Sequence, residues 1–565
     1  MPVSSTFPPI EIPDLDIWSF LFERKDRLYP DDKIIYQDAE TQRHYTYQSL
    51  KQRCLTFGAG LQSVFHWNQG DVLALFTPNS IDTPVVTWGT LWAGGIISPT
   101  NPAYTVDELA FHLRDSGAKA LVTHVSVLPV AKAASKKVGL AEDRIMLLGD
   151  HHDPAHEIGH FSSIKNETGM TTKRPDIVDP SRTCAFIVYS SGTTGAPKGV
   201  TLSHRNIVSN VLQASAGEGG NLTWNGGIDG KGDRVLGFVP FSHIYGLLRL
   251  LHAPLYTGYQ VLIMEKFEIE KWCAYVQNYR ITFSYVVPPV VLLLTQHPAV
   301  EKYDLSSLRM LNCSGAPLTL KLVEATYKRL GVGIKQGYGC TEVSPTSHNQ
   351  SWEDWHSTIG SVGRLLPNME AKYMSMPEEG SDSEPEEVKV GEVGELFLRG
   401  PNVFLGYHNN PQATTQALSA DGWLRTGDVG YQDKNGHFYI TDRVKELIKY
   451  NGFQVAPAEL ESVLANNEAV ADVAVVGTHR QKHGTEVPLA FVVRSEKSIA
   501  SGTAAEEEAR NIAHWLEDRV AYYKRLRGGV HFVDSIPKSP SGKILRRLLQ
   551  RQVQETFRKA VNARL

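Results

Sequence analysis

The sequence predicts an α/β protein: a large composite domain, residues 1–444, followed by a small one, residues 445–565. Three observations carry that reading. At 565 residues the chain is too long for one hydrophobic core, so several sheets or domains must share it. Between residues 72 and 123, short apolar runs alternate with helix-period segments in the order β-α-β-α-β, the pattern of a parallel sheet covered by helices. From Val444 onward the elements become short and alternate α with β, which marks a separate unit beginning near Lys445.

In chain order, Ile34 to Tyr47 reads as a short polar hairpin, and a helix opens at Thr46 with Leu50, Leu55 and Leu61 along it. Val72 to Phe76 is strand-like, Ser80 to Ala93 helical, Ile96 to Ser98 a strand, Val106 to Ser116 a helix and Ala120 to Thr123 a strand. His151 to Pro180 is polar and irregular, and connects to an apolar strand, Cys184 to Val188. A hydroxyl cap at Ser203 opens a helix running to Ala214. Gly217 to Gly232, rich in Gly, Asn and Asp, is expected to be an exposed loop. Val235 to Val239, Met310 to Asn312 and Ile334 to Gln336 are further strands, and Pro288-Pro289 breaks the apolar run Ile281 to Leu294. The acidic stretch Glu378 to Glu387 separates strand-like Ala371 to Met374 from Glu395 to Leu398 and reads as a solvated insertion in a hairpin. A Glu-rich helix surrounds Glu506, and no tandem repeat is visible.

Composition narrows the function classes. A formal net charge of −4 gives no global pull toward nucleic acid or anionic membrane, so small-molecule chemistry is the expectation. The five cysteines are scattered without a C-x-x-C pair, which disfavours a disulfide framework and a zinc site and fits a reducing compartment. The N-terminus carries prolines and acids where a signal peptide needs a basic start, and no apolar run is long enough to span a bilayer. A soluble, non-secreted protein is therefore expected. The final Ala563-Arg564-Leu565 is a small-basic-leucine ending of the type read by the peroxisomal import receptor, so a peroxisomal location is expected, with the cytoplasm as the alternative.

The stretch with most chemistry in it is YSSGTTGAPKGV, Tyr189 to Val200. Ser190, Ser191, Thr193 and Thr194 bring hydroxyls, Gly192 and Gly195 bring unhindered N–H groups, and Lys198 brings a cation. Together they are the donors a polyphosphate cradle needs. The loop is not a Walker A motif, because Pro197 stands where the second glycine belongs and Gly199 follows Lys198 where Ser or Thr belongs. A flexible Ser/Gly linker is the competing reading, but linkers rarely carry a Pro-Lys-Gly after such a run. The preceding strand would deliver the loop to a sheet end, where open α/β sheets bind ligands.

This loop resembles the signature of the adenylate-forming superfamily, which includes acyl-CoA synthetases, 4-coumarate:CoA ligases, firefly luciferase and the adenylation domains of peptide synthetases. Further motifs follow in the family's order almost to the C-terminus: QGYGCTE at Gln336 to Glu342, GWLRTGD at Gly422 to Asp428, VKELIKYNGFQVAPAELE at Val444 to Glu461, and IPKSPSGKILR at Ile536 to Arg546. The resemblance implies two parallel-rich α/β subdomains plus a small β-barrel-like one in residues 1–444, and a mobile α+β C-terminal domain. It implies an ATP-dependent acid:CoA ligase that forms an acyl-adenylate on Mg²⁺-ATP and then a thioester on coenzyme A. An aromatic, coumarate-like acid or a medium-chain or secondary-metabolite acid is the implied substrate. A luciferase-type oxygenase and an enzyme loading a carrier-protein thiol remain alternatives.

The resemblance also assigns roles by position. Tyr338 would stack on adenine, within a nucleotide border that includes Gln336, Gly337, Gly339 and the turn Gly315, Ala316 and Pro317. Thr341 would bond the α-phosphate and Glu342 would help hold Mg²⁺, a cation that takes few carboxylates and keeps its waters and substrate phosphates. Asp428 would accept both ribose hydroxyls, since a carboxylate has two oxygens for a cis-diol, and Arg443 would be the second ribose contact. Lys445 falls at the hinge, Lys449 and Gln454 would support adenylation or thioester formation, and the face around Lys449 and Gly452 would be presented to CoA. The ligases usually have Lys where this chain has Asn451. Lys543 resembles the mobile lysine that bridges the substrate carboxylate and the α-phosphate, where a cation is worth most in the transition state. His243, Tyr245, Gly246, Arg249, Ser314 and Gly337 lead toward the expected acyl pocket. A buried Arg249 needs an anionic partner: a second carboxylate on the substrate and an internal acid are both open, as is exposure to solvent.

Overall fold

The computed structural model describes residues 2–166, 172–190, 197–376, 384–450, 453–480, 485–500, 504–539 and 542–553. The phosphate-loop residues Ser191, Gly192, Thr193, Thr194 and Gly195, the CoA-face residues Asn451 and Gly452, and the terminal tripeptide lie outside them.

Three sheets make up the first part of the chain. A seven-stranded sheet is built on Val72–Phe76, which pairs in parallel with Ile96–Thr100 and Ala118–His124; Ile145–Leu148 continues the parallel set. Val72–Phe76 is buried along its whole length, as expected of a parallel strand covered on both faces. A nine-stranded sheet runs parallel through Gln260–Ile263, Arg234–Gly237, Phe283–Val286, Met310–Cys313 and Gly333–Gly339, in that spatial order. The barrel-like part is a five-stranded antiparallel sheet that includes Glu370–Met374, Gly394–Arg399, Leu424–Gln432 and Phe438–Arg443. One continuous apolar core joins all three sheets, with Leu73, Leu236, Leu311, Leu396 and Phe438 among its members.

Helix starts follow local chemistry. Thr46, Thr105 and Ser203 each close a capping box at the mouths of Tyr47–Phe65, Val106–Ser116 and His204–Gly217, satisfying N–H groups that have no partner inside the helix. The helix expected from Ser80 opens at Thr83, one turn later, with Pro84 at the first turn.

Residues from Ile448 onward pack separately. In Val470–Arg480, Val473 and Val475 face one apolar cluster with Ile448, Leu460 and Leu516. Ala474 and Val476 face a second with Ile536 and Leu549, so the small sheet is covered on both sides. Among the described residues, polar contacts between this unit and the rest include Ala458 N to Asp442 (3.0 Å), Lys321 Nζ to the Ala465 carbonyl (2.9 Å) and Arg546 with Glu446 (3.3 Å). Among the described residues no helix is long and apolar enough to cross a membrane.

Two expectations need correction. The phosphate loop does not lead straight to the Ser203 helix: a strand, Lys198–Ser203, intervenes and runs antiparallel to Cys184–Ser190, with Ser190 opposite Lys198. Its alternation is short, and Gly199 at its start resembles loop. Nor is Gly217 to Gly232 exposed throughout, because Glu218 and Leu222 are buried within it.

Candidate active site

A strand end of the nine-stranded sheet meets the five-stranded sheet at Asp428. Tyr338, at the end of Gly333–Gly339, donates its hydroxyl to Asp428 Oδ2 at 2.5 Å, and Arg443 Nε meets the other oxygen, Oδ1, at 2.8 Å. Asp428 and Arg443 are brought together by strand register, since they stand opposite each other in the antiparallel ladder. Burial works against the charge of Arg443, but Asp428 and then Tyr338 more than offset it and hold the guanidinium protonated. Burial and Asp428 likewise push the Tyr338 phenol well above its ordinary value, so it stays a donor.

Glu342 sits four residues further, in the single 3₁₀ turn Thr341–Val343, with Thr341 buried at its start. Its Oε1 accepts from Tyr407 Oη (2.9 Å), and Lys198 Nζ lies 5.0 Å from the Tyr407 ring centroid. Tyr407 was not found from the sequence; its strand, Gly406–Tyr407, pairs with the strand that begins at Lys198. Lys198, Glu342 and Asp428, far apart in the chain, thus border the same space.

Lys543 enters that space from the small unit. Burial, then the Arg443 charge, lower its ammonium to about 8, with Glu446 and Asp428 acting in the other direction. The turn before it rests on the large domain, where a side chain at Gly542 (φ +80°) would come within 2.6 Å of Pro289. Lys445 is lowered by burial and by Lys198, Arg425 and Arg443, which places it in the same cationic neighbourhood. Lys449 and Gln454 face each other across the hairpin Ile448–Tyr450 and Phe453–Val455, both exposed, with the Lys449 amide bonded to Glu486.

The expected acyl side is continuous with this border. His243 caps a short turn, accepting at Nδ1 from Tyr245 N (3.2 Å); it is exposed, while the protein packed around it lowers the imidazole to about 4 and leaves it neutral. Gly246 is required there, since a Cβ would lie 2.3 Å from the Pro240 carbonyl oxygen. Tyr245 Oη bonds Asn312 Oδ1 (3.0 Å), and Ser314 Oγ donates to the Gly337 carbonyl (3.0 Å). Gly315 (φ +92°), Ala316 and Pro317 form the adjoining turn, and Gln336 N bonds Gln350 Oε1 (2.6 Å). Arg249 is 3% exposed and its first partner is internal: Nη1 approaches Glu218 Oε1 at 3.4 Å.

Asp428 is held by a phenol and a guanidinium, and Glu342 and Lys198 both lie against Tyr407. The chain belongs to the AMP-binding enzyme family: that family's model matches residues 22–408, and the model of the AMP-binding enzyme C-terminal domain matches residues 459–543. It is 37% identical over 561 residues to a probable 4-coumarate–CoA ligase of Dictyostelium discoideum, covering 97% of each chain. It is 36% identical over 551 residues to a 4-coumarate–CoA ligase of Pinus taeda, covering 97% of this chain and 96% of that one. ATP-bound MatB from Rhodopseudomonas palustris superposes with a TM-score of 0.82 at 27% identity, over 96% of this chain and 99% of the other.

Proposed function

We propose that this protein is an ATP-dependent acid:CoA ligase for an aromatic or medium-chain carboxylic acid. The carboxylate attacks the α-phosphate of ATP, pyrophosphate leaves, and the thiol of coenzyme A then displaces AMP to give the thioester. The observation that supports this above others is the convergence of Lys543 with Asp428, Arg443 and Tyr338, together with Glu342 and Lys198, on one crevice. Asp428 and Arg443 would hold the ribose, Tyr338 the base, and Lys198 with its loop the phosphates. Lys543 would neutralise the two anions that must meet in line.

Magnesium fits the donor set, because Glu342 offers one carboxylate and the nucleotide supplies the remaining oxygens; bound there, it would neutralise phosphate charge. Among the described residues no group of three or more His, Cys, Asp or Glu is placed to hold a metal ion.

Residues 1–444 would bind the nucleotide and acid, and residues 445–565 would turn between half-reactions, withdrawing Lys543 and presenting the face around Lys449 and Gly452 to CoA. Separate cores favour such a motion. The test is release of AMP and pyrophosphate that depends on acid and Mg²⁺, with acyl-CoA as product. ADP and phosphate would contradict the reading. Light or a decarboxylated product, or transfer only to a carrier-protein thiol, would select the alternatives. We also propose peroxisomal targeting through Ala563-Arg564-Leu565, tested by whether a fluorescent fusion leaves the organelle when the three residues are deleted.

A further inference from the structure

Beneath the acyl side lies a group of buried charges that the adenylation chemistry does not use. Glu218 (5% exposed), Arg249 (3%) and Lys335 (0%) come from a loop, a helix and a strand. Lys335 Nζ meets Glu218 Oε2 at 2.8 Å, and the same carboxylate accepts from Trp352 Nε1 (2.9 Å) and Asn349 Nδ2 (3.2 Å). Burial would raise Glu218, but Lys335 and Arg249 outweigh it and keep the carboxylate ionised.

Glu218 is therefore well supplied with donors, whereas Arg249 is poorly supplied with acceptors. Its two hydrogen bonds, to Glu218 Oε1 and Thr346 Oγ1, are both long at 3.4 Å, and its buried Nε has no partner. A guanidinium keeps its charge at any working pH and offers five N–H donors in a fork matched to a carboxylate. Two buried cations face one buried anion. Arg249, Glu218, Tyr259 and Tyr285 also line a cavity of about 260 Å³.

Arg249 is linked to the acyl-side residue Tyr245 through the Tyr285 ring. Tyr245 and Arg249 are four residues apart on one helical segment, and its second part, Leu247–His252, is wound as a π-helix, a form often found at functional sites. The Tyr245 and Tyr285 rings meet edge to face at 5.6 Å, and the Arg249 guanidinium lies 5.7 Å from the Tyr285 ring centroid. From the other side, Asn349 links the two places: its Oδ1 would lie 3.2 Å from a Cβ on Gly337, and its Nδ2 bonds Glu218.

We propose that the acid activated by this enzyme carries a second carboxylate at its far end, and that Arg249 receives it through the N–H groups the protein leaves under-used. The inference rests on the ligase reading and names its substrate class. Arg249 has only two long bonds, to Glu218 Oε1 and Thr346 Oγ1 at 3.4 Å, and an Nε with no partner, so a second carboxylate would supply a closer, planar pair of oxygens.

The test compares kcat/KM for pyrophosphate release on matched pairs, hexanedioic against hexanoic acid and 4-carboxycinnamic against cinnamic acid. The wild-type enzyme is expected to favour the dicarboxylate in at least one pair by tenfold or more. In Arg249→Met that ratio falls at least tenfold, and Arg249→Lys, which keeps the charge but not the fork, gives an intermediate ratio. Thermal unfolding of each variant shows whether it is folded; if Arg249→Met is not, the wild-type ratios and Arg249→Lys decide. A wild-type preference for the plain acid in both pairs, or a ratio unmoved by Arg249→Met, overturns the assignment. Pyrophosphate release with plain acids alone leaves the ligase standing without this substrate class, whereas no release with any acid in the presence of Mg²⁺-ATP sinks the ligase reading itself.

Discussion

The nucleotide border and the buried charge group beneath the acyl side handle charge in opposite ways. At the border, Asp428, Arg443 and Lys543 surround an open crevice, and the small unit brings its cation from outside the main core. In the group, Lys335 and Glu218 are buried and fix each other at 2.8 Å. Charges facing a crevice can exchange partners during a reaction, because water and ligand can take the place of either one. Buried charges cannot do so cheaply, and removing one strands another. Within the buried group, the Lys335–Glu218 pair is fixed, and Arg249 beside it keeps an N–H group with no partner.

That contrast can be broken by experiment. The largest effect is expected in the buried group: Glu218→Ala leaves Lys335 without its close acceptor and should lower unfolding free energy by about 3–5 kcal/mol in denaturant titrations. A loss under about 1 kcal/mol, the scale of an exposed pair, would erase the distinction.

Lys543→Ala should do the reverse. Stability should change by less than about 1 kcal/mol, while acid-dependent pyrophosphate release falls about 100- to 1000-fold, the scale for removing one transition-state donor. The same lysine predicts a pH limb. Its ammonium is lowered to about 8, so the cation is present below that pH and is lost as pH rises through it. Release should therefore fall about tenfold per unit above that point, well before an ordinary lysine near 10.4 would titrate, and Lys543→Ala should lack the limb. The smallest effect belongs to Tyr407→Phe. Loss of its hydrogen bond to Glu342 is worth about 1 kcal/mol, seen as a several-fold higher KM for Mg²⁺-ATP with the fold unchanged.

The two regions also differ in how far they could be read from sequence. The border was legible because Gln336 to Glu342, Gly422 to Asp428 and Ile536 to Arg546 are contiguous stretches in which polar residues are held by turns, so each announces itself locally. Tyr407 escaped because it acts through a two-residue strand whose partner strand was itself read as loop. Glu218 escaped for a physical reason: an acid among Gly and Asn looks solvated, and only the fold reveals that Lys335, on another strand, meets it. Arg249 stood out as an odd cation in an apolar helix, but its orphaned Nε depends on where Glu218 and Thr346 lie in space. Among larger elements, the parallel strands were plain from their apolar runs, and the strand Lys198–Ser203 was not.

The bond from the Tyr338 phenol to Asp428 ties the aromatic ring to the acid. In the proposed reading, where the ring meets the base and the acid meets the ribose, this bond would make each contact position the other, so an analogue carrying only the base or only the sugar is expected to lose more affinity than its missing contact alone accounts for.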